Sequence, residues 1–370
     1  MESKKIIIFA DIKSVLLFDR VSILDTIPGE KIVVPNADAF ENSKILLEKY
    51  SKHNIVQVSN SKYRWLRYLL STFQTAYLLF KIKPDLIIIH WASRLTQNIV
   101  LGLFGSKAIV STMGGDVCKI QTPGKFKQFF IKFLLRRVNF ITVKSKEMMS
   151  KIKDLIPDIE VEKVKVVSWG VDPRFINPSK NLDLLNELNL GVDQKVFISI
   201  RSLTPFYRVK EIVEAFILYK IKYNTDDVLI VSEQGLDKIY KNSIIKKINA
   251  SKFSKSIIFK QINHAEMQDY LSICTAIISN TYSDGLPQSM MEAVAAQKWI
   301  MSNDLKEYHG MLFNTKNALL FTDISGLVDL FAKAREAQYI KTTDKSIAHL
   351  LNQNEQNKAY LELCHKILKI

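Results

Sequence analysis

The chain has 370 residues, of which 47% are hydrophobic and 24% charged, so it is long enough for two domains with separate cores. Its three cysteines lack the spacing of a disulfide framework or a zinc site, which indicates a reducing cytoplasm. No apolar run reaches the roughly 20 residues that a membrane-spanning helix needs, and the N-terminal run is too short for a secretion signal. The formal net charge is +15, and basic residues outnumber acidic ones by 12 between positions 1 and 175. We therefore expect neither a secreted nor an integral membrane protein, and an anionic partner near the first half of the chain.

Short apolar runs typical of buried strands alternate with longer helical patterns along most of the chain. Strand–helix–strand alternation predicts parallel sheets with helices on both faces, and ligands of such sheets bind beyond the carboxyl ends of the strands. The sequence thus predicts an α/β protein of two doubly wound, Rossmann-like domains that face a central cleft. The predicted strands are residues 6–10, 55–58, 86–89, 108–111 and 140–143 in the first domain and 196–200, 228–231, 256–259 and 276–279 in the second.

Residues that break helices and strands cluster between positions 172 and 190, among them Pro173, Pro178 and Ser179. We place the domain boundary there, so that the first domain spans residues 1–178 and the second spans residues 179–350. Residues 351–370 form a predicted C-terminal helix, which we expect to pack back on the first domain.

The segment from Val117 to Lys146 contains eight basic residues and no acidic one. Within it, residues 125–137 form a predicted helix rich in lysine, arginine and phenylalanine, and residues 62–70 have a similar character. Helices of this kind lie in the interface of anionic bilayers, where each basic residue contributes about 1 kcal/mol. In the alternative interpretation, the phenylalanines pack on the sheet and the cations are only solvated.

Two carboxylates follow the last predicted strand, in a polar loop and at the helix after it. Asp284 lies in the loop and Glu292, eight residues later, lies within the helix. Two carboxylates at this spacing can accept hydrogen bonds from two sets of hydroxyl groups on one ligand, for example a sugar and a ribose. In the alternative interpretation, Glu292 is a solvated helix carboxylate and Asp284 caps the loop.

The start of this helix also offers groups that bind anions. Pro287 suits the first helical position, and the backbone N–H groups of Gly285 and Leu286 would face a ligand at the strand end. The helix dipole favours an anion such as a phosphate there. Together with Ser283, these residues are candidates for binding an anionic ligand.

The run from Ser283 to Glu292 resembles the signature of the retaining glycosyltransferases of family four, which have the two-domain architecture called GT-B. In that family an acidic residue, seven others and a glutamate occupy such a loop. The resemblance implies that Asp284 contacts the donor sugar and Glu292 the nucleotide ribose, although the first of the two is usually a glutamate. Residues 166–175 are similar to the strand and loop at the end of the family's first domain.

Other positions of the second domain extend the resemblance to the donor's diphosphate. Arg201, at the end of a predicted strand, resembles the arginine with which the family holds that diphosphate. A guanidinium there would neutralise charge on the leaving nucleotide. The lysine that usually follows is replaced by Tyr207, and either Arg208 or Lys210 takes its place.

In the first domain, two strand ends resemble loops that line the acceptor side in the family. His90 ends one predicted strand, and Gly114, Gly115 and Asp116 follow the next. Adjacent glycines let the backbone pass close to a substrate. In the alternative interpretation, His90 is a structural histidine at a strand end.

The resemblance implies a retaining glycosyltransferase that moves a hexose-type sugar from a nucleotide-sugar donor to a saccharide or lipid-linked saccharide, in cell-surface polysaccharide, lipopolysaccharide or glycan biosynthesis. No Asp-x-Asp loop occurs, so we expect no metal and no other cofactor. We expect a cytoplasmic protein, peripheral on the anionic cytoplasmic face of a membrane. The alternatives are a non-catalytic GT-B subunit, a polyanion-binding protein and a sugar-nucleotide epimerase. Nucleic acid is disfavoured as a partner because no known nucleic-acid module is recognisable.

Overall fold

The computed structural model of the chain describes residues 3–10, 15–35, 48, 50–56, 58, 63–118, 124–235, 237–312, 315–338 and 345–370. The chain divides into two compact units. The first unit consists of Met1–Gly170 and Asn352–Ile370, and the second consists of Val171–Leu351.

A parallel sheet forms the centre of the first unit. Its strands are β1 (Lys4–Ala10), β2 (Gly29–Pro35), β3 (Asn54–Ile55), β4 (Leu86–His90), β5 (Ala108–Ser111), β6 (Phe140–Val143) and β7 (Val164–Val166). Their order across the sheet is β3-β2-β1-β4-β5-β6-β7. Strand β1 lies in the middle, with Ile7 opposite Ile32 of β2 and Ile87 of β4. The central strands are almost continuously apolar because helices cover both faces.

Helices cover the two faces of this sheet in separate groups. They are α1 (Val15–Ile23), α2 (Arg64–Ile82), α3 (Gln97–Leu103), α4 (Lys125–Arg137), α5 (Lys146–Leu155) and, at the end of the chain, α14 (Gln353–Leu368). Leu79, Leu101 and Ile131 anchor α2, α3 and α4 in the core on one face. On the other face, Leu17 of α1 and Tyr360 of α14 share a second core.

The second unit repeats the plan with a parallel sheet whose order is β10-β9-β8-β11-β12-β13. Its strands are β8 (Val196–Ser199), β9 (Val228–Ser232), β10 (Ile257–Lys260), β11 (Ala276–Ser279), β12 (Trp299–Asn303) and β13 (Ala318–Phe321). Its helices are α6 (Leu182–Glu187), α7 (Val209–Tyr223), α8 (Lys238–Asn249), α9 (Met267–Ile273), α10 (Gln288–Ala295), α11 (Lys306–Leu312), α12 (Ile324–Glu336) and α13 (Lys345–Leu351). One core holds Leu271 and Met290 of α9 and α10, and the other holds Phe216 and Phe331 of α7 and α12.

The chain passes from the first unit to the second between Gly170 and Val171, before the boundary that the breakers predicted at residue 178. The reason is Phe175, which follows the Asp172 turn and is fully buried in a core of the second unit. Gly170 has a φ of +66°, and a Cβ at this position would lie 2.2 Å from Cα of Gln353. The chain therefore needs a glycine where it passes the start of α14.

Candidate active site

Four loops of the second unit place side chains at the carboxyl edge of its sheet. Arg201 follows β8, His264 follows β10, Asp284 follows β11 and Tyr308 lies in α11 after β12. Because all these strands are parallel, their carboxyl ends share one edge, which is where open α/β sheets bind ligands. The edge brings together residues that are more than a hundred positions apart in the chain.

Arg201, Asp284 and Tyr308 form one charged cluster at this edge. The Arg201 guanidinium forms an ion pair with Oδ2 of Asp284, and the Tyr308 hydroxyl donates to the same oxygen at 3.1 Å. Burial acts to lower the pKa of Arg201, but the Asp284 carboxylate opposes it, so that the pKa is raised and the guanidinium stays charged. Burial, reinforced by the same carboxylate, holds the pKa of Tyr308 well above its usual range. Tyr308 therefore remains a hydrogen-bond donor to Asp284.

Tyr207 supports the cluster from the side. The Arg201 guanidinium lies over its ring, 4.6 Å from the centroid, so the aromatic residue at the usual lysine position makes a cation–π contact. Tyr207 ends a short turn that runs from Pro205. Tyr207 thus orients the Arg201 guanidinium. It does so from the position at which the resembled family usually has a lysine, a second cation.

The second predicted carboxylate, Glu292, is buried rather than solvated. Its side chain is 3% exposed, and Oε1 lies 3.0 Å from Nε2 of His264. Nδ1 of His264 lies 3.0 Å from the Arg174 guanidinium, which also donates to the His264 carbonyl at 3.2 Å. The Phe175 ring packs beside His264 at 5.5 Å. One carboxylate oxygen of Glu292 is thus fixed by a partner. The remaining acceptor capacity of this buried carboxylate is suited to bind a pair of hydroxyl groups.

The loop before α10 is held in place by Asn303 at the end of β12. Its side-chain amide donates to the Thr281 carbonyl at 2.9 Å, and its oxygen accepts from the Thr281 N–H at 3.0 Å. Asn280 donates to Glu211 of α7 at 2.8 Å. These bonds fix the segment that carries Ser283 and Asp284.

The helix start differs from the prediction in two details. The Gly285 N–H donates to Oδ1 of Asp284 at 2.9 Å, so it serves the carboxylate, and the Leu286 side chain is fully buried in the core. Helix α10 begins at Gln288, and Pro287 precedes it in an extended conformation. The loop thus folds around the Asp284 side chain, because this side chain is short enough to accept a hydrogen bond from the N–H of the next residue, Gly285.

Arg208 and Lys210 lie at the start of α7 in different surroundings. Arg208 adopts a left-handed conformation with a φ of 43°, and its guanidinium lies 4.7 Å from the ring centroid of Tyr282. Its Nε lies 3.6 Å from Glu211. The backbone N–H of Lys210 donates to the Tyr240 hydroxyl at 2.9 Å. Arg208 is therefore directed toward the loop that holds Ser283, since Tyr282 is the neighbour of that residue.

The acceptor-side candidates of the first unit form a compact turn at the ends of β4 and β5. Asp116 is completely buried, and its carboxylate accepts from the N–H groups of Ala92, Met113 and Gly114 at 2.9 to 3.0 Å. Burial raises its pKa, and these bonds counteract the shift. Gly114 has a φ of +104°, which favours glycine. Asp116 thus shapes the loop by binding its backbone N–H groups. A Cβ built on Gly115 would lie 3.8 Å from the Trp91 ring.

His90 lies at the same strand ends but is 4% exposed. Its ring packs against Trp169 at 5.5 Å, and its buried Nε2 has no hydrogen-bond partner among the described residues. Burial lowers its pKa well below the usual value, and the charges of Arg20 and Arg94 lower it further. His90 is therefore neutral at physiological pH.

Sequence reasoning missed four of the residues that organise this edge: Arg174, His264, Asn303 and Tyr308. Arg174 stands within the Asp172–Phe175 stretch that the resemblance singled out, so its position was visible but its role was not. His264 stands in Asn263–Glu266, which has the spacing of a helix capping box, so the sequence indicated a helix start there but no role in a site. Asn303 ends β12 and Tyr308 follows it, and because this strand was not predicted, no sequence signal directed attention to either residue.

Two family descriptions match the chain. Residues 6–145 match "Glycosyl transferase 4-like", and residues 182–359 match "Glycosyl transferases group 1". No curated protein matches the chain.

Solved structures of low sequence identity share the fold. A sucrose-phosphate synthase from Thermosynechococcus elongatus is 12% identical over 99% of both chains, with a TM-score of 0.79. HepE from Anabaena, in complex with UDP and glucose, is 13% identical over 98% of this chain and 99% of that one, with a TM-score of 0.79. A UDP-GlcNAc 2-epimerase from Methanocaldococcus jannaschii is 13% identical over 98% of this chain and 99% of that one, with a TM-score of 0.63. The two sheets therefore have the predicted GT-B architecture, and the chain belongs to the glycosyltransferases, with a family-four-like first domain and a group 1 second domain.

Proposed function

We propose that the protein transfers a hexose from a nucleotide-sugar donor, with retention at the anomeric carbon. The observation that carries this proposal is the pair of part-buried or buried carboxylates, Asp284 and Glu292, at the edge where Arg201 supplies a fixed positive charge. Asp284 contacts the sugar, Glu292 binds the ribose hydroxyls, and Arg201 faces the diphosphate. HepE was solved in complex with UDP-glucose, which makes UDP-hexoses the first donors to test.

We propose that the leaving diphosphate is stabilised by protein cations rather than by a metal ion. Arg201 offers a planar fork of donors to phosphate oxygens, and its charge is maintained by Asp284. Of the two candidates for the second cation, we favour Arg208, because it is directed toward the donor loop through Tyr282. Retention then proceeds by attack on the face that the nucleotide leaves, without a side-chain nucleophile.

We propose that the first domain receives the acceptor at the ends of β4 and β5. The Gly114–Gly115 turn, held by Asp116, presents backbone without side chains there. His90 lines this region as a neutral, buried group. The acceptor is a saccharide or a lipid-linked saccharide of a cell-surface glycan pathway, met at the cytoplasmic face of a membrane. No described helix is long and apolar enough to cross the bilayer.

The donor proposal is tested by thermal shifts with UDP-, GDP- and ADP-sugars, followed by donor hydrolysis and transfer assays. A ligand at 100 times its dissociation constant stabilises by about 2.7 kcal/mol, so a true donor is easily seen. Glu292→Ala should reduce donor use roughly tenfold to a hundredfold, the loss of a charge-assisted hydrogen bond. Unchanged hydrolysis and transfer in this variant would remove the assignment of Glu292.

The same assays separate the alternatives. A non-catalytic subunit would bind a sugar nucleotide without hydrolysing or transferring it. An epimerase, the class represented by the Methanocaldococcus structure, would interconvert UDP-sugars in the absence of any acceptor. Release of free nucleotide diphosphate that depends on an added acceptor supports the transferase.

A further inference from the structure

Helix α2 exposes a row of large apolar side chains to solvent. The row consists of Trp65, Leu69, Phe73, Tyr77 and Phe80. Trp65 is 69% exposed and Phe73 66% exposed, whereas Thr75 and Leu79 on the opposite side are fully buried. The helix is thus buried along one side and still apolar along its exposed side. An ordinary surface helix has polar residues on its exposed side.

Helices α3 and α4 continue this surface. Helix α3 packs against both α2 and α4, and the rings of Phe80 and Phe104 meet at 5.3 Å. Gly102 of α3 allows a close approach to α4, since a Cβ there would lie 2.8 Å from the Phe133 ring. All three helices are anchored in the same core, so their outward sides point away from the sheet together. We call this outward surface, from Trp65 to Phe80 with Leu103, Phe126 and Phe129, the α2–α4 face.

The interpretation that the phenylalanines of residues 125–137 pack on the sheet holds for only part of α4. Phe130 and Leu134 pack in the core, as the structural interpretation expects. Phe126 and Phe129 are exposed, at 72% and 57%. Of the second basic segment, residue 62 lies outside the described residues.

The charge of the protein is concentrated in the part of the chain that builds this face. Residues 49–146 contain 17 basic and two acidic residues, a surplus as large as the net charge of +15 of the whole chain. One of the two acidic residues, Asp116, is buried and bound by backbone N–H groups, and two of the basic residues, Arg94 and Lys144, are buried as well. The exposed side chains of Lys81, Lys125 and Arg137 stand on α2 and α4 themselves. Outside this segment, basic and acidic residues balance.

We infer that the α2–α4 face docks on the surface of an anionic lipid bilayer. This inference rests on the proposed function, because it brings the acceptor end of the first domain to a lipid-linked acceptor. Exposed Trp, Tyr and Phe side chains enter the interface between headgroups and acyl chains, and the surrounding lysines and arginines bind the anionic headgroups. A second copy of the chain is a poorer occupant, since two such faces would bring like charges together.

The test measures flotation of the full-length protein with vesicles of phosphatidylcholine and phosphatidylglycerol in equal parts. We expect binding to these vesicles, loss of binding at high ionic strength, and little binding to pure phosphatidylcholine. The double variant Lys125→Gln with Phe126→Ser should lower the partition coefficient by about tenfold or more. Its matched control is Lys238→Gln with Ile239→Ser, likewise a lysine followed by an exposed apolar residue, at the start of α8, where Ile239 is 85% exposed. The control should bind as the wild type does.

The orientation is tested through Trp65 with vesicles that contain brominated acyl chains. Bromine quenches a tryptophan that enters the acyl boundary, so part of the fluorescence should be lost on binding. The Trp65→Phe variant should bind but lose this quenching. Quenching that persists in Trp65→Phe would show that another surface enters the bilayer and would overturn the inference.

Two other results would also contradict it. Equal binding to neutral and anionic vesicles would remove the electrostatic part, and a stable dimer that the Lys125/Phe126 variant dissociates would make the face a protein interface. Donor-induced thermal stabilisation is measured separately in all variants. Vesicle binding that fails while UDP-sugar stabilisation persists refutes the docking face alone, whereas loss of the sugar response refutes the proposed function.

Discussion

Nε2 of His264 lies 3.0 Å from the buried Oε1 of Glu292, while its Nδ1 lies 3.0 Å from the Arg174 guanidinium. Arginine can only donate hydrogen bonds, so Nδ1 must be the acceptor and Nε2 carries the hydrogen. The imidazole therefore donates a hydrogen bond to the carboxylate. This chain of three side chains fixes the orientation of Glu292 before any ligand binds, which makes His264 a positioning residue for the carboxylate that we propose binds the ribose.

Loss of the His264 hydrogen bond should weaken binding of the nucleotide sugar more than it lowers turnover. We expect His264→Ala to raise the KM for the nucleotide sugar about five- to thirtyfold, because one hydrogen bond to a buried carboxylate is removed. His264→Gln can still donate to Glu292 and should recover part of the loss. His309→Ala is the matched control, since His309 pairs with Asp304 at the surface. Equal KM values for His264→Ala and the wild type would show that Glu292 does not need this bond.

Tyr308 should influence catalysis through Asp284. Tyr308→Phe keeps the ring but removes the 3.1 Å hydrogen bond to Oδ2, leaving Arg201 as the remaining side-chain partner of that oxygen among the described residues. We expect kcat/KM to fall about five- to fiftyfold, from a bond to a charged acceptor. Tyr270→Phe, in a buried tyrosine of α9, is the control. An unchanged rate in Tyr308→Phe would mean that Arg201 alone orients the carboxylate.

The second phosphate cation is identified by comparing two single variants. Arg208→Ala should lower kcat/KM about tenfold to a hundredfold, because it removes the cation that we propose lies beside the leaving diphosphate. Lys210→Ala, two positions further along α7, should leave kcat/KM within about threefold of the wild type, as expected of a solvated helix cation. The reverse result would assign the role to Lys210.

His90 makes the stability of the first unit depend on pH. Its pKa is depressed in the folded protein, so below the ordinary value of 6.5 the unfolded chain binds a proton that the folded chain does not. This contribution to stability is complete above pH 6.5 and is lost as the pH falls, by at most about 1.4 kcal/mol per pH unit. Thermal unfolding between pH 5 and 8 should show a smaller decrease of Tm on acidification for His90→Asn than for the wild type. Parallel curves would show that His90 is protonated in the fold.

Most of the fold could be predicted because strands that are buried in a parallel sheet consist of uninterrupted runs of apolar residues. Strands β5, β6 and β11 have the bounds that the sequence predicts. Strand β2 was missed because it opens with the polar Gly29-Glu30-Lys31 and becomes apolar only at its end. The sheet order also needed the structure, since local patterns do not report which strands pair.

The site was predictable where a residue type carries its chemistry in a local run. Arg201, Asp284 and Glu292 stand next to strand ends and helix starts that the sequence shows directly. Their partners were not, because the Tyr308 hydroxyl and the His264 ring reach the carboxylates only through the packing of separate loops. The hydrogen bond from the Gly285 N–H to the short side chain of Asp284 could not be predicted either, because it depends on the loop geometry and not on the residue type alone.

The return of α14 to the first unit has a consequence for the order of folding during synthesis. Tyr360, Leu363 and Cys364 are buried beside Leu17 and Val21, so part of the first core is synthesised after the whole of the second unit. The second unit, which ends at Leu351, is complete while the first still lacks one helix. The unit whose synthesis starts first is thus completed after the second unit, and a fragment that stops before residue 352 leaves an apolar face of its sheet uncovered.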